Sequence, residues 1–410
     1  MDNKEAPAII KVIGLGGCGT NAVNYLQKKN IADVDLIVCD TDKQSLRRCK
    51  NVENVVPIGN EGLGTGNNPE KGAAAVQENI HCIETILKNN TKLIFITAGM
   101  GGGTGTGSAP IVAAKAKELG ILTVAIVTLP FLFEGRQRLE RALEGIDKLF
   151  ENVDALLIIN NHKIREIYGG NIKFSEAYEK ADSVLTNAAA SMAEIITKIQ
   201  SHNVDFNDVV SIVKDAGLAV MGSGEGEGSN KCLVALEQAL ISPLLNKNNV
   251  EGASKILVTI LHGESEPTAR EIKEMYIALE KKVGSRPDVL PGYGHDPSLG
   301  DKVRVIIIAT RFEKNILPTK DTIKEEINVN VPFDIVDPSN VEQVYKNENE
   351  PEDNFQLDDN PTVEPYVNIG NTGSTINENV HHNIAQSIDK ESKWLESKVG
   401  RFFTSKDKKM

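Results

Sequence analysis

Two glycine runs and one acidic turn carry the residue types that could do chemistry in this chain. The longer run is Thr97-Ala98-Gly99-Met100-Gly101-Gly102-Gly103-Thr104-Gly105-Thr106-Gly107-Ser108-Ala109-Pro110. Its glycines let backbone N–H groups crowd around an anion. The helical pattern that follows, Ile111 to Leu119, adds the partial positive charge of a helix N-terminus. That is a phosphate cradle. It lacks the Lys and Ser/Thr that close a Walker loop, and that signature occurs nowhere in the chain. The second run, Gly14-Leu15-Gly16-Gly17-Cys18-Gly19-Thr20-Asn21, matches G-x-G-x-x-G. Two such loops about eighty residues apart would hold the two ends of a nucleotide's phosphate chain. The acidic turn, Asn203-Val204-Asp205-Phe206-Asn207-Asp208-Val209, reads equally as a helix cap or as carboxylates that polarise a water.

The elements that must position these residues are short and alternate. Strand patterns at Ile9–Ile13, Asp35–Cys39, Val55–Ile58, Leu93–Thr97, Thr123–Thr128 and Ala155–Asn160 are rich in Val and Ile and separated by helical stretches. Strands buried on both faces of a parallel sheet have that composition. Each glycine run follows a strand, where open α/β sheets bind ligands. A long helix is expected from about Glu176 to Gln200, with Val184, Leu185, Ala188, Met192, Ile195, Ile196 and Ile199 as its apolar stripe. It reads as a rod between two units. In the second, smaller unit Lys255–His262 and Lys302–Thr310 read as strands, Pro267–Val283 as a helix and Pro287–Asp301 as a loop.

Composition narrows the classes. The chain has 410 residues, 40% hydrophobic and 25% charged, with a net charge of −12. That balance argues against a general nucleic-acid binder. Five cysteines without metal-site or C-x-x-C spacing fit a reducing cytoplasm. No apolar run approaches the ~20 residues of a membrane span. From Asn347 to Asn379 there are eight acidic residues and no Lys or Arg, so a disordered, self-repelling linker is expected over 347–380. The tail, 381–410, places Ile384, Ile388, Leu395, Val399 and Phe402 at helical spacings among Lys and Arg, a basic amphipathic helix.

The two glycine loops, in this order and spacing, resemble the tubulin/FtsZ family of filament-forming GTPases. The resemblance covers roughly residues 9–313. Gly101-Gly102-Gly103-Thr104-Gly105-Thr106-Gly107 is its most specific signature, and Asn203, Asp205 and Asp208 fall on the family's N-x-D-x-x-D loop. The resemblance implies an α/β fold: a Rossmann-like parallel-sheet GTPase domain (1–175), a central helix (176–200), a smaller α/β domain (201–313) and a connecting segment (314–346) before the linker and tail. It implies GTP/GDP as ligand, with Mg2+ bound mainly through the phosphates and no protein metal site. Gly16, Gly17, Cys18, Gly19, Thr20 and Asn21 then fall in the first phosphate loop, and Gly102, Gly103, Thr104, Gly105, Thr106 and Gly107 in the second. Cys18 and Thr20 depart from the family's usual residues. Gly64-Thr65-Gly66-Asn67 resembles the loop that closes near the γ-phosphate. Glu134 would lie near the ribose, Arg138 near the nucleotide, Asn161 and Asp182 at the guanine edge, and Tyr178 against the base.

A helix of ~22 residues spans about 33 Å, so Asp205 and Asp208 should face away from their own nucleotide. The resemblance resolves this by head-to-tail stacking: the acids of one subunit polarise water at the GTP of the next, with Asn203 orienting it. The partners so implied are the chain itself, division-ring anchor or regulatory proteins through the tail, membrane only indirectly or weakly, and no nucleic acid. The expected location is the cytoplasm at the mid-cell division site. Two other readings stay open on the residues: a nicotinamide oxidoreductase with Asp40 on the ribose, and a nucleotide-binding regulator without turnover.

Overall fold

The apolar runs of the first half form β1 (Ile10–Leu15), β2 (Val34–Asp40), β3 (Asn54–Pro57), β4 (Leu93–Gly99), β5 (Leu122–Leu129) and β6 (Ala155–Asn160). Between them lie α1 (Gly16–Lys29), α2 (Lys43–Leu46), α3 (Pro69–Glu78), α4 (Ile80–Lys88), α5 (Thr104–Glu118) and α6 (Arg136–Phe150). The computed structural model describes residues 8–29, 31, 33–161, 164, 173–197, 206–241, 250–284 and 286–312. Asn203, Asp205, the connecting segment 314–346, the linker 347–380 and the tail 381–410 lie outside the described residues.

These strands are parallel, in the order β3-β2-β1-β4-β5-β6. The order reverses between β1 and β4, and the two glycine runs leave the sheet at the carboxyl ends of those two strands. An open α/β sheet has its ligand crevice at that reversal. Alternate strand residues serve opposite layers. Val12, Phe95 and Ile126 pack in one cluster with Val23 and Leu26 of α1. Ile13, Ile96 and Val127 pack in another with Val76 of α3, Val112 of α5 and Ile146 of α6. Ile94, Phe95 and Ile96 are each 0% exposed, which explains the unbroken apolar run. Burial of each such side chain contributes roughly 1.5–3 kcal/mol.

The long helix, α7, runs Phe174–Thr197. Its stripe is buried against the sheet: Leu185, Ala188, Met192 and Ile195 join the cluster holding Val12 and Phe95, together with Leu257 and Ile306 from the second half. The helix therefore shares one core with both halves. The sheet is continuous too. After α8 (Phe206–Val213), β7 (Gly217–Gly226) pairs in parallel with β6, through Ala155↔Gly217 to Leu157↔Ala219. Beyond α9 (Lys231–Ile241), β8 (Ala253–His262) and α10 (Ala269–Val283) come β9 (Asp288–His295) and β10 (Val303–Phe312). They complete a ten-stranded sheet, with β10 antiparallel between β7 and β8.

Two elements differ from the sequence reading. The expected loop Pro287–Asp301 contains β9, paired in parallel with β8 from Lys255↔Asp288 to His262↔His295. Pro291, Gly292 and Gly294 hide it, and an outermost strand tolerates them because its outward N–H groups need no ladder partner. β7 is a strand that its sequence does not announce. Its glycines serve close packing: a Cβ at Gly226 would stand 2.0 Å from the Lys231 carbonyl oxygen of α9.

An ion pair with a buried cation lies in this sheet. Lys11 on β1 is 1% exposed, and its Nζ donates to the carboxylate of Asp35, its register partner on β2. Asp35→Ala strands a buried ammonium and is expected to cost about 3 kcal/mol in chemical denaturation. Replacing Lys11 by Met in the same chain should recover most of that loss. A small loss for Asp35→Ala would mean that water reaches Nζ.

Candidate functional site

At the carboxyl ends of β1, β4, β5 and β6 lies a cavity of about 550 Å³. One end is built from backbone. α1 begins at Gly16 and α5 at Thr104, so two helix N-termini open onto it, and Gly16, Gly17, Gly102, Gly103, Thr104 and Gly105 form its wall. Helix N-termini with free N–H groups favour an anion. The crowding there requires glycine: a Cβ at Gly103 would stand 2.0 Å from Thr65 Oγ1 and 2.8 Å from the Asn68 nitrogen. Three hydroxyls converge at this end. Thr104 Oγ1 is 2.7 Å from Thr41 Oγ1 and 3.5 Å from Thr65 Oγ1. Thr65, Gly66 and Asn67 close the wall.

The other end is built from side chains. Asn161, Tyr178 and Asp182 line it, with Cys18 and Asn21 from α1 and Glu134 and Arg138 between the two ends. Asn21 Nδ2 donates to Asp182 Oδ2 at 3.2 Å. Burial raises the Asp182 carboxyl above the ordinary carboxylate range, opposed by hydrogen bonds from Asn21 and Cys18. The Cys18 thiol lies 3.8 Å from Asp182 Oδ1, and burial followed by that carboxylate pushes it up to about 12. Cys18 is therefore a neutral thiol at physiological pH, a packed side chain rather than a nucleophile. Tyr178 meets Phe131 edge-on at 5.1 Å, and its hydroxyl, pushed up to about 12 by burial and by Glu134, bonds that carboxylate. Glu134 accepts from the Phe131 N–H at 2.8 Å and pairs with Arg138 at 3.1 Å.

Asn161 carries an unsatisfied acceptor beside the cavity. The residue is 6% exposed, and its Oδ1 is buried without a hydrogen-bond partner. Such an orphaned acceptor costs about 1–3 kcal/mol unless a ligand donates to it. Asn161 and Asp182 both line the cavity, and the Asp182 carboxylate, an acceptor only, suits a base edge rich in N–H donors. Guanine has that edge at N1 and N2, and adenine does not.

The structure separates the sequence-predicted residues. Gly16, Gly17, Cys18, Asn21, Gly102, Gly103, Thr104, Gly105, Glu134, Arg138, Asn161, Tyr178 and Asp182 come together on the cavity. Gly19, Thr20, Thr106 and Gly107 lie behind it. Gly19 packs on β4, where a Cβ would stand 2.3 Å from the Thr97 carbonyl oxygen. Thr20 is 1% exposed. Thr106 Oγ1 accepts from the Gly101 N–H at 2.8 Å and braces the loop, and Gly107 faces a different cavity. Thr128, Pro130 and Ala181 line the site without having been foreseen. Thr128 was recoverable from its place at the end of a parallel strand. Asp208 sits in the first turn of α8, away from this cavity. Asp40, the acid a nicotinamide site would need, is 3% exposed, accepts from the Asp42 N–H and is absent from the cavity wall.

Fold and site together define a nucleotide-binding α/β protein with a two-loop phosphate cradle. The family model described as Tubulin/FtsZ family, GTPase domain, matches residues 9–169, and FtsZ family, C-terminal domain, matches 217–313. The cell division protein FtsZ of Porphyromonas gingivalis is 42% identical over 327 residues, 79% of this chain and 70% of that protein. The cell division protein FtsZ of Aquifex aeolicus is 43% identical over 315 residues, 76% of this chain and 85% of that protein. An FtsZ dimer structure from M. jannaschii superposes with a TM-score of 0.68 at 37% identity, covering 74% of this chain and 88% of that one. The chain belongs to the tubulin/FtsZ family, in its FtsZ branch, and carries the family's GTPase domain.

Proposed function

We propose that this chain is a division-ring GTPase whose active centre is completed by a second copy of itself. GTP sits with its base at Asn161, Tyr178 and Asp182 and its phosphates at the two glycine loops. Asp208, with Asp205 and Asn203, positions and polarises the attacking water at the GTP of the neighbouring subunit. The observation that carries this reading is a separation within one chain. The cavity supplies a phosphate cradle, while Asp208 lies on α8, beyond the far end of α7. From Asp182 to the end of α7 is about 22 Å at 1.5 Å per residue.

The cavity rim supports the same reading. Leu63, beside the Thr65–Asn67 wall, is 85% exposed, and Phe133, in the segment that supplies Glu134, is 50% exposed. A partner seated over this end would cover both side chains. A contact between the top of one copy and the underside of the next is heterologous and grows a filament.

Mg2+ is carried by the phosphates in this reading. The Thr41, Thr65 and Thr104 hydroxyls suit a phosphate-held ion. The ion would neutralise charge developing on the transferred phosphoryl group. The tail would engage ring-anchoring or regulatory proteins, with any membrane contact weak or indirect, and would hold filaments at the mid-cell division site in the cytoplasm.

The test is specific activity against protein concentration. Turnover per subunit should rise steeply with concentration and approach zero at high dilution. Constant specific activity down to the dilute limit would mean each subunit holds its complete machinery.

A further inference from the structure

Behind the second glycine loop lies another cavity of about 550 Å³, between α3, α5 and α6, which shares Gly66 and Asn67 with the nucleotide cavity. Arg141 of α6 reaches this shared wall, and its Nη1 donates to the Asn67 carbonyl at 2.7 Å. Its Nε is buried without a hydrogen bond. The Asn67 carbonyl is thus the acceptor that the structure gives this guanidinium.

The loop it grips is a tight left-handed turn. Asn67 has φ +59°, between Gly66 at +58° and the helix cap Asn68, whose Oδ1 accepts from the Lys71 N–H at 2.8 Å. Asparagine adopts the left-handed region more readily than other side chains, so the turn is locally allowed and its contacts set how firmly it is held. On the opposite side the loop presses against the bare backbone of Gly103. One helical turn before Arg141, Arg138 lines the nucleotide cavity and pairs with Glu134. Residues three apart share a helix face, so α6 grips the nucleotide wall at one point and the loop at the next.

We propose that Arg141 is a positioning residue for the terminal phosphate. Its charge-assisted bond to the Asn67 carbonyl fixes the Thr65–Asn67 segment against Gly103, so that the segment's N–H groups and the Thr65 hydroxyl meet the γ-phosphate of a bound GTP. This rests on the guanine-nucleotide reading, with the base at Asp182 and the last phosphate therefore at the opposite end. GDP does not reach the loop, so Arg141 discriminates between the two nucleotides without touching either.

The experiment measures GTP and GDP affinities of wild type, Arg141→Ala and Arg141→Lys by competition with a fluorescent GDP analogue at low protein concentration. Arg141→Ala should weaken GTP about tenfold and leave GDP within about twofold, the loss of one charged hydrogen bond. Arg141→Lys, which still offers a cationic donor, should restore most of the GTP affinity. Hydrogen exchange of residues 64–68 should speed up in Arg141→Ala while the melting temperature stays unchanged. Equal losses for GTP and GDP, or unchanged GTP affinity in the folded variant, would overturn the assignment. If Arg141→Ala does not fold, a Lys variant with wild-type exchange at 64–68 yet equal losses for both nucleotides overturns it as well. Wild-type protein that binds neither nucleotide brings down the guanine reading itself, and this inference with it.

Discussion

Asp182→Asn should weaken GTP binding by about 10²–10³-fold and at the same time create affinity for xanthosine triphosphate. A carboxylate only accepts, so it pairs with both the N1–H and the N2 amino group of guanine. An amide offers one acceptor and one donor group. Its donor meets the guanine amino group head-on, while xanthine presents a carbonyl oxygen at that place. Hydrogen bonds to charged groups are worth about 1.5–3 kcal/mol each, and opposing two donors removes more than one of them. Asn21 Nδ2, which now donates to Asp182 Oδ2 at 3.2 Å, keeps an acceptor in the variant, so the loop geometry should survive. Competition binding with GTP and XTP reads the exchange. Parallel losses for both nucleotides would mean that Asp182 supports the pocket without reading the base.

The same carboxyl predicts a pH dependence. Burial raises it in the free protein. The donors of guanine favour its ionised form, so GTP binding lowers it again and releases a proton at acid pH. GTP affinity should therefore fall as pH drops through the raised value of the free carboxyl, at a pH above the range of an exposed aspartate. Asp182→Asn should lose that dependence, because its side chain does not titrate. A wild-type profile flat to the ordinary carboxylate range would exclude Asp182 from the base contact.

Asp208→Ala is expected to bind GTP as wild type does and to lose turnover by at least about 10²-fold, the usual contribution of a positioned acid or base. The two properties separate because Asp208 is on α8 and the nucleotide cavity is lined by other elements. Mixing this variant with Asp182→Ala gives a sharper result. One partner keeps its cradle and the other keeps its acid, so a shared centre re-forms at about a quarter of randomly paired junctions. Activity above the sum of the two inactive proteins is the expected outcome. An Asp208→Ala protein that lost GTP affinity and turnover in step would have lost part of its own pocket instead.

The two glycine loops were legible because a phosphate cradle needs a local sequence: a strand, glycines where side chains cannot fit, and a helix start. Asp182 and Tyr178 were reached only through family resemblance, since helical spacing alone makes them an ordinary half-buried face. β9 escaped notice because Pro291 and its neighbouring glycines depress strand propensity, and only its outermost place in the sheet makes them tolerable. β7 escaped because its glycines look like a loop until α9 is seen packed on them. Gly19, Thr20, Thr106 and Gly107 belong to the same two runs yet stand outside the cavity lining. A motif names neighbours in sequence, and a helix with 3.6 residues per turn sends some of them to its far side.

The order of chemistry along the chain is local information, because backbone conformation at a glycine-rich turn depends on the residues in it. The sequence by itself therefore determined a phosphate-binding α/β protein of this family and the strands that carry its loops. Which members face the cavity, the unpaired Asn161 acceptor, the inward turn of Asp40 and the grip of Arg141 on Asn67 were decided by tertiary structure. Each depends on groups far apart in the chain, brought within a few ångströms by the packing of helices on the sheet, and no window of sequence encodes that distance.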